Sequence, residues 1–376
     1  MVLLLYSVWV IRVMTKRAVA STFQLFIILI LVTGCTRVGP DMMYKDRFDY
    51  TTAVGDSWKE QVLLNIVRIR YSDWPTFVAV DQIITAYTME HTGTARLIGK
   101  RGISDVLTND QAEAGWVGKF AERPTILYKP LSGQKYVNSM LTPTKPASVL
   151  ALIESGWPAD HLSRIALRSV NGKYNTNAEY GVMHRTDKGF ALFITTLKML
   201  QAADAMKVSI KKVADKGEQV YLNIQEDKLT APQLQQLREL KVALGLAFDK
   251  NRYRIVRDSA DDSSEEILIQ GRSLLQVLVA LSTGVEIPND HLLSDVAPPL
   301  RPIPEKDLTS LSPLMVIKSS PSNPGDTYVA VRYLNMWFWI DKTDHFSKRS
   351  LQYALTLITL LDSDDKAGGS VVIPVN

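Results

Sequence analysis

The sequence predicts an α+β fold of mixed helices and antiparallel strands. Some segments carry apolar residues at the 3.6-residue spacing of a helix, and others alternate apolar and polar residues as strands do. The two kinds of segment do not alternate regularly, as repeated β-α-β units would require. Hydrophobic residues make up 46% of the chain and charged residues 22%, which is the composition of an ordinary globular protein with a packed core.

The first 34 residues have the pattern of a secretory signal peptide, in which a basic segment precedes an apolar run and a cleavage point with small residues. The apolar run is Phe23–Val32, and Lys16 and Arg17 lie upstream of it. Because Met1–Val13 is also apolar and precedes the basic pair, we expect translation to start at Met14. The alternative is a long signal peptide with internal basic residues. Either way, residues 1–34 are excluded from the fold prediction.

The first predicted helix is Val54–Arg70, where apolar residues recur on one face. Pro75 follows it and cannot continue a helix. Strands are expected over Thr76–Glu90 and Ala95–Ile98, joined by a turn at His91–Thr94, although Val80, Ile84 and Tyr87 would also suit a helix. Residues 100–145 contain many turn formers and little periodicity, so no element is predicted before residue 145.

The middle of the chain is predicted to be mainly helical. The predicted helices are Lys145–Glu154, Ala159–Val170, a helix capped by Thr186 and Asp187 that ends at Met206, and Pro232–Leu244. Thr230 and Gly245 have the positions of N-cap and C-cap residues for the last of these. Two alternating segments, Val208–Ile210 and Val220–Ile224, are predicted to pair as strands.

The last third is predicted to be rich in strands, with two helices. Expected strands are Tyr253–Val256, Ile267–Ile269, Leu314–Lys318, Thr327–Leu334, Met336–Ile340 and Ser370–Val375, and expected helices are Ser273–Ser282 and Phe346–Leu361. The proline-rich stretch from Pro288 to Pro304 is the best linker candidate. We therefore predict an N-terminal α+β domain at 54–287, a linker at 288–312, and a β-rich α+β domain at 313–376 that packs on the first.

The charge balance argues against a nucleic-acid partner. The chain has 43 Lys and Arg residues, and three of them precede Cys35: Arg12, Lys16 and Arg17. The remaining 40 basic residues face 39 acidic ones, which gives a net charge of +1 from Cys35 onwards. No basic cluster interleaved with aromatic residues is present. Cys35 is the only cysteine, so no disulfide can form within the chain.

The common catalytic sequence motifs are missing, which favours a non-catalytic protein without metal or cofactor. There is no G-x-S-x-G, H-E-x-x-H, P-loop or G-x-G-x-x-G pattern. The five histidines are scattered singly, with none three or four residues from another: His91, His161, His184, His291 and His345. Single histidines are more often surface or core residues than metal ligands.

The densest polar cluster in the sequence follows the strand Met336–Ile340. Its members are Asp341, Asp344, His345, Ser347, Lys348 and Arg349. They could form a small acid–base or anion site, but we favour a helix cap made by Asp341 or Asp344, with Lys348 and Arg349 facing solvent.

Two further groups of residues have both a structural and a functional interpretation. Trp337 and Trp339 share one face of a strand and either fill the core, which we favour, or form an aromatic platform. Asn65 and Arg68 lie in a mostly apolar helix, and we favour hydrogen bonding to nearby backbone over partner binding.

Residues 31–35, Leu-Val-Thr-Gly-Cys, resemble the lipobox of bacterial lipoproteins. Thr33 departs from the usual alanine or serine. The resemblance implies cleavage before Cys35, which then becomes the first residue and carries lipid on its thiol and amine, so that 35–53 are the anchor and tether. The alternative is an unmodified cysteine, inert at the surface or in the core, that follows a signal anchor. The resemblance also implies outer-membrane sorting, because Thr36 follows the cysteine where aspartate would retain the protein at the inner membrane. Two or more acyl chains give stable anchoring.

Four further segments are similar to a broad group of uncharacterised lipoproteins from Gram-negative bacteria. The matching residues are Leu63, Leu64, Asn65, Val67, Arg68, Arg70 and Tyr71; Ser155–Pro158; Arg272–Leu275; and Trp337, Ile340, Asp341, Asp344, Ser347 and Lys348. This resemblance implies no activity.

The sequence thus predicts a lipid-anchored protein of the outer membrane whose body faces the periplasm. We expect a structural or assembly role, with the membrane and other envelope proteins as partners. The alternative is a periplasmic ligand-binding protein or hydrolase whose site forms only in three dimensions.

Overall fold

A computed structural model describes residues 38–85, 87–98, 111–175, 177–179, 182–184, 186–213, 217–257, 263–299 and 313–363. It confirms a mixed α+β fold with mostly antiparallel sheets. The predicted signal peptide, Cys35 and the predicted strand Ser370–Val375 lie outside the described residues. The chain divides into two compact units, Met1–Asp56 and Ser57–Asn376.

Most of the segments predicted to be helical are helices in the structure. Their bounds are α1 Val38–Arg70, α2 Gly133–Leu141, α3 Pro146–Glu154, α4 Ala159–Ala166, α5 Lys188–Ala202, α6 Ala231–Leu244, α7 Leu274–Ser282, α8 Asn289–Leu293 and α9 His345–Ser363. The predicted caps of α6 are confirmed: Thr230 and Gln233 form a reciprocal capping box, and Gly245 has φ +68°.

The strands form one large sheet and several small ones. Their bounds are β1 Phe77–Ile84, β2 Tyr87–Ile98, β3 Gln111–Glu122, β4 Thr125–Leu131, β5 Leu167–Val170, β6 Lys173–Tyr174, β7 Asn177–Glu179, β8 Val182–His184, β9 Met206–Val213, β10 Gly217–Ile224, β11 Arg252–Val256, β12 Glu266–Gly271, β13 Lys318–Ser320, β14 Val329–Tyr333 and β15 Met336–Ile340.

The six-stranded sheet has the order β6-β5-β12-β11-β10-β9 and is antiparallel except between β11 and β12. A three-stranded sheet has the order β13-β15-β14. The remaining pairs are β1-β4, β2-β3 and β7-β8. The buried apolar side chains of the second unit form one cluster that extends along the chain from Val62 to Ile358. The division into domains at 288–312 stays a prediction.

The predictions for the first part of the chain were wrong in three respects. Helix α1 begins at Val38, not Val54, because Pro40 lies in its first turn, where a missing N–H is tolerated. The predicted turn at His91–Thr94 is part of the continuous strand β2, in which Gly93 pairs with Trp116. Residues 100–145, expected to be irregular, contain β3, β4 and α2.

Two predicted helices extend too far. The helix predicted over Ala159–Val170 ends at Ala166 in the structure. Leu167–Val170 instead forms a strand that pairs with β12 and leads into the turn Asn171–Gly172. The helix expected to reach Met206 ends at Ala202, and Asp204 then adopts φ +49° before β9 begins. In both cases a partner strand overrides the local helical pattern.

Two glycines allow backbone segments to approach closely. A Cβ on Gly271 would lie 2.1 Å from the carbonyl oxygen of Thr144, and one on Gly284 would lie 1.7 Å from that of Met315. These contacts join β12 to the segment before α3 and the end of α7 to the segment before β13. A side chain at either position would force the two backbones apart.

Gly271→Ala should therefore lower the free energy of unfolding by about 1–3 kcal/mol or more, as expected for overpacking against backbone. Gly55→Ala is the matched control, since nothing lies within 4 Å of a Cβ there and alanine favours a helix. Denaturant titration of both variants measures the difference. Equal unfolding midpoints for the two variants would contradict the close approach at Gly271.

Candidate functional site

The polar cluster after β15 is a helix cap. The backbone N–H of Ser347 donates to Asp344 Oδ1 at 3.0 Å, and the Ser347 hydroxyl donates to Asp344 Oδ2 at 2.5 Å. Ser347 is buried, and its Oγ accepts from Val316 N–H at 2.9 Å. The predicted capping role of Asp344 is confirmed, and Ser347 also fixes the chain before β13.

Asp341 stabilises the turn that leads into α9. Its Oδ1 accepts from the N–H and the hydroxyl of Thr343 at 3.0 and 2.7 Å, and Lys318 Nζ lies 3.3 Å from Oδ2. The hydrogen bonds from Thr343, followed by that from Lys318, lower the pKa of Asp341 to about 2. Lys348 is partly exposed: its Nζ donates to Lys342 O at 2.9 Å at the surface and lies 4.9 Å from the ring centre of Tyr328. Arg349 is exposed, as predicted.

Trp337 and Trp339 do not fill the core. Phe338 and Ile340, which alternate with them on β15, are fully buried, whereas both tryptophans are partly exposed on the opposite face. In the strand register Trp337 lies opposite Arg332, and Trp339 lies opposite Lys318. The favoured core interpretation was wrong because strand alternation gives both tryptophans one face without showing which face is inside.

Asn65 links α1 to the start of β1. Its Nδ2 donates to Thr76 O at 2.7 Å, and its Oδ1 accepts from Thr76 N–H at 2.9 Å and from Arg68 Nη1 at 3.3 Å. Asn65 is fully buried, and the prediction that it satisfies nearby backbone is confirmed. Gln61 adds a second link, since its Oε1 accepts from Val78 N–H at 2.9 Å.

The end of α1 is fixed by Arg70 and Tyr71. Arg70 Nη1 donates to Pro298 O at 2.6 Å, and the Tyr71 hydroxyl lies 2.7 Å from His291 Nδ1. The Tyr71 ring contacts the rings of Tyr333 and Phe338 edge-on. Burial raises the pKa of Tyr71 to about 12, so its hydroxyl stays protonated at physiological pH.

Arg272 is a buried cation to which the sequence analysis assigned no role. It is 1% exposed, and its Nη1 donates to the carbonyl oxygens of Arg164 and Ile165 at 2.8 and 3.2 Å. Both carbonyls belong to the last turn of α4, where the helix dipole favours positive charge. Burial lowers the pKa of Arg272 to about 10, which leaves it charged at neutral pH.

His161 is a second buried titratable group. It is 3% exposed, its Nε2 lies 3.2 Å from Ser350 Oγ, and its ring meets Phe346 edge-on at 4.0 Å between centroids. Because Ser350 donates its proton to Leu314 O, its oxygen accepts from a neutral imidazole. Burial first, and then the positive charge of Arg164, lower the pKa of His161 to about 4. The negative charge of Asp160 raises the pKa of His161, and the positive charge of Arg349 lowers it further.

The two-stranded pair β1-β4 presents an exposed apolar surface, which the sequence analysis missed. Its register places six side chains on one face, which we call the ribbon face: Val78, Val80, Ile83, Ile126, Tyr128 and Pro130. Ile126 is 39% exposed and Tyr128 61% exposed. The alternation was obscured because a bulge at Asp81 shifts the register between Val80 and Gln82.

The end of the β1-β4 ribbon at Phe77 is packed on the core. Phe77 and Ala79, on the other face of β1, are buried, and Phe77 belongs to the core. Asn65 and Gln61 hold the backbone at this end through the hydrogen bonds to Thr76 and Val78. The same two chain segments pair again as β2 and β3, twelve residues in each strand. The ribbon is therefore held at its base while its distal apolar side chains stay exposed.

Among the described residues, no three His, Cys, Asp or Glu side chains are placed to hold a metal ion, and no helix has the length and apolar character to cross a membrane. Cys35 lies outside the described residues. No protein-family model, curated protein or solved structure matches the chain.

The pKa of His161 predicts a loss of stability in acid. Between pH 6.5 and pH 4 the unfolded chain binds a proton at this histidine and the folded chain does not, so the folded state loses stability as pH falls. From pH 7.5 to pH 4.5 this loss should reach roughly 2–3 kcal/mol. Denaturant titrations across this range should show that His161→Gln removes that part of the pH slope, while exposed His345→Gln keeps it. An unchanged slope in His161→Gln would refute the assignment.

Asp344→Ala should lower the free energy of unfolding by about 0.5–2 kcal/mol, because the first turn of α9 loses its cap. Asp344→Asn should restore most of that stability, since asparagine caps as well as aspartate. His345→Ala should change stability by less than about 0.5 kcal/mol, because the side chain is exposed. Thermal melts compare the three variants. If Asp344→Asn abolished a cellular phenotype at normal abundance and stability, the carboxylate would have a chemical role beyond capping.

Proposed function

We propose that this protein is a lipoprotein of the outer membrane, anchored through Cys35, with its body facing the periplasm and a structural or assembly role. The observation that carries the proposal is the coincidence of an apolar signal segment, a lipobox and the only cysteine of the chain. Because Cys35 is the only cysteine, it cannot serve in a disulfide within the chain.

The polar groups of the candidate site support a non-catalytic role. Asp344 is engaged by the N–H and hydroxyl of Ser347, Asp341 by Thr343 and Lys318, and Arg272 by helix carbonyls. Each of these charges stabilises backbone that the fold needs. A general acid or base would instead point into a cleft that a substrate could enter.

The exposed apolar face of the β1-β4 ribbon supports an assembly role. Contiguous apolar patches on a protein surface commonly mark binding sites for other proteins or membranes. The ribbon face combines Ile126 and Tyr128, both exposed, with partly buried neighbours. Aromatic and aliphatic side chains of this kind are typical of the centres of protein interfaces.

The anchor is tested by mass spectrometry of the N-terminal peptide from purified membranes. The expected product begins at Cys35 and carries three acyl chains, one pair through the thiol-linked diacylglycerol and one on the amine. Sucrose-gradient fractionation should place the protein with outer-membrane markers, and Thr36→Asp should shift it towards the inner membrane. Thr36→Ser is the matched control and should leave the distribution unchanged.

An intact peptide spanning Gly34–Thr36 as the main species would refute the lipid anchor. Co-migration of the wild type with inner-membrane markers would refute the location while leaving the anchor in place. The two results are therefore separable.

A further inference from the structure

We propose that the N-terminal part of α1 lies along the membrane surface and contacts phospholipid through one exposed stripe of side chains. The α1 stripe consists of Tyr44, Phe48, Thr51 and Gly55, which recur every three or four positions and therefore share one face of the helix. All four residues are exposed. The inference rests on the proposed anchor at Cys35 and gives the anchored protein a second, non-covalent contact with the same bilayer.

The α1 stripe is uncharged, aromatic and open. Tyr44 is 70% exposed and Phe48 55% exposed, and their ring centroids are 4.8 Å apart. The Thr51 hydroxyl donates to Arg47 O at 2.5 Å, so contact with lipid would leave no hydroxyl donor without an acceptor. Nothing lies within 4 Å of a Cβ built at Gly55, so the far end of the stripe is open as well. Tyrosine, with an apolar ring and a polar tip, is enriched at the level of lipid headgroups.

The charges beside the α1 stripe match a phospholipid surface. At about 100° per residue, Lys45 and Arg47 flank the stripe on its two sides, and both are exposed. Long basic side chains lay their stems along apolar surface while the charged ends reach lipid phosphates. The acidic residues between 44 and 56 lie roughly 110° or more from the centre of the stripe: Asp46, Asp49 and Asp56. An apolar face with cations at its margins is typical of helices that lie in the membrane interface.

The position of the α1 stripe in the chain identifies the bilayer as its occupant. Only Thr36 and Arg37 separate Cys35 from Val38, where α1 begins. Three residue steps of extended chain span at most about 11 Å, and Tyr44 lies about 9 Å further along the helix axis. With lipid on Cys35, the stripe therefore begins within reach of the bilayer, and any protein partner would have to displace a surface that is always present.

The anchor compensates for the small size of the stripe. Two aromatic side chains bind a membrane weakly by themselves, as does a single lipid chain. In the anchored protein the contact forms within one assembly, at a high effective concentration set by the two-residue tether. The contact is therefore expected in the lipidated protein, where it holds this segment of α1 along the membrane surface.

The test measures how close each side of α1 lies to lipid. The full-length protein is purified from membranes and reconstituted into vesicles of phosphatidylethanolamine and phosphatidylglycerol. Thr51→Cys lies on the α1 stripe and Ala53→Cys on the opposite side of the helix, and both positions are exposed. Each thiol carries an environment-sensitive maleimide dye, and nitroxide lipids quench any dye at the membrane surface. We expect strong quenching and a blue shift from Thr51→Cys and much weaker effects from Ala53→Cys.

Two further preparations show whether the aromatic side chains make the contact. Tyr44→Ser combined with Phe48→Ser, in the Thr51→Cys background, should remove most of the quenching, because the stripe then has no apolar ring to bury. Ala53→Ser in the same background is the matched control and should keep the quenching. Circular dichroism checks that the helix is intact in each variant, and the protein without an introduced cysteine reports background labelling.

Equal quenching on the two sides of the helix, or none at Thr51→Cys, overturns the proposal. Quenching that survives the loss of both aromatic rings overturns it as well. Mass spectrometry of the N-terminal peptide from the same vesicles separates the two levels of the argument. Lipidated protein without quenching refutes the contact and leaves the anchor in place, whereas an unlipidated N-terminus refutes the anchor and, with it, this contact.

Discussion

The fold of the second unit depends on the buried guanidinium of Arg272. An uncompensated charge at this depth would cost several kcal/mol, and the carbonyls at the end of α4 offset that cost because the helix dipole is negative there. The same residue also fixes backbone: its N–H donates to Ala166 O at 2.7 Å, and its carbonyl accepts from the N–H of Thr144 at 3.0 Å. One residue therefore determines where α4 ends, where β12 ends and where the segment before α3 lies, and Gly271 is required beside it for the same reason.

Side-chain amides hold several of the connections between helices and strands. Asn65 exchanges two side-chain hydrogen bonds with the backbone of Thr76. The side chain of Asn171 accepts from Leu268 N–H at Oδ1 at 2.7 Å and donates from Nδ2 to Leu244 O at 2.7 Å. Gln201 accepts from Ala159 N–H and donates to Ile153 O and Trp157 O, which holds the turn between α3 and α4. An amide carries both a donor and an acceptor, so one uncharged side chain can replace a missing backbone partner in full.

Local patterns predicted those elements whose limits are set by their own residues. Thr230 and Gly245, which were predicted as caps, define the two ends of α6. The ribbon could not be predicted, because a bulge at Asp81 breaks the alternation and small polar residues in β2 resemble a turn. The inner face of β15 was assigned to the wrong side, since only the packing of Phe338 and Ile340 against the core distinguishes the two faces. The predicted anchor at Cys35 is a different case: it rests on a linear motif alone, lies outside the described residues and stays a prediction.

The core of the second unit has a consequence for the order of folding. Tyr71 meets His291, 220 positions later, Asn171 meets Leu268, 97 positions later, and His161 meets Ser350, 189 positions later. Contacts between residues so distant along the chain close slowly and only after most of the polypeptide exists. A nascent chain that has not yet produced α9 lacks Leu351, Tyr353 and Ile358 from its core. Such a chain cannot complete its core, so the last step of folding waits until the final helix has been synthesised.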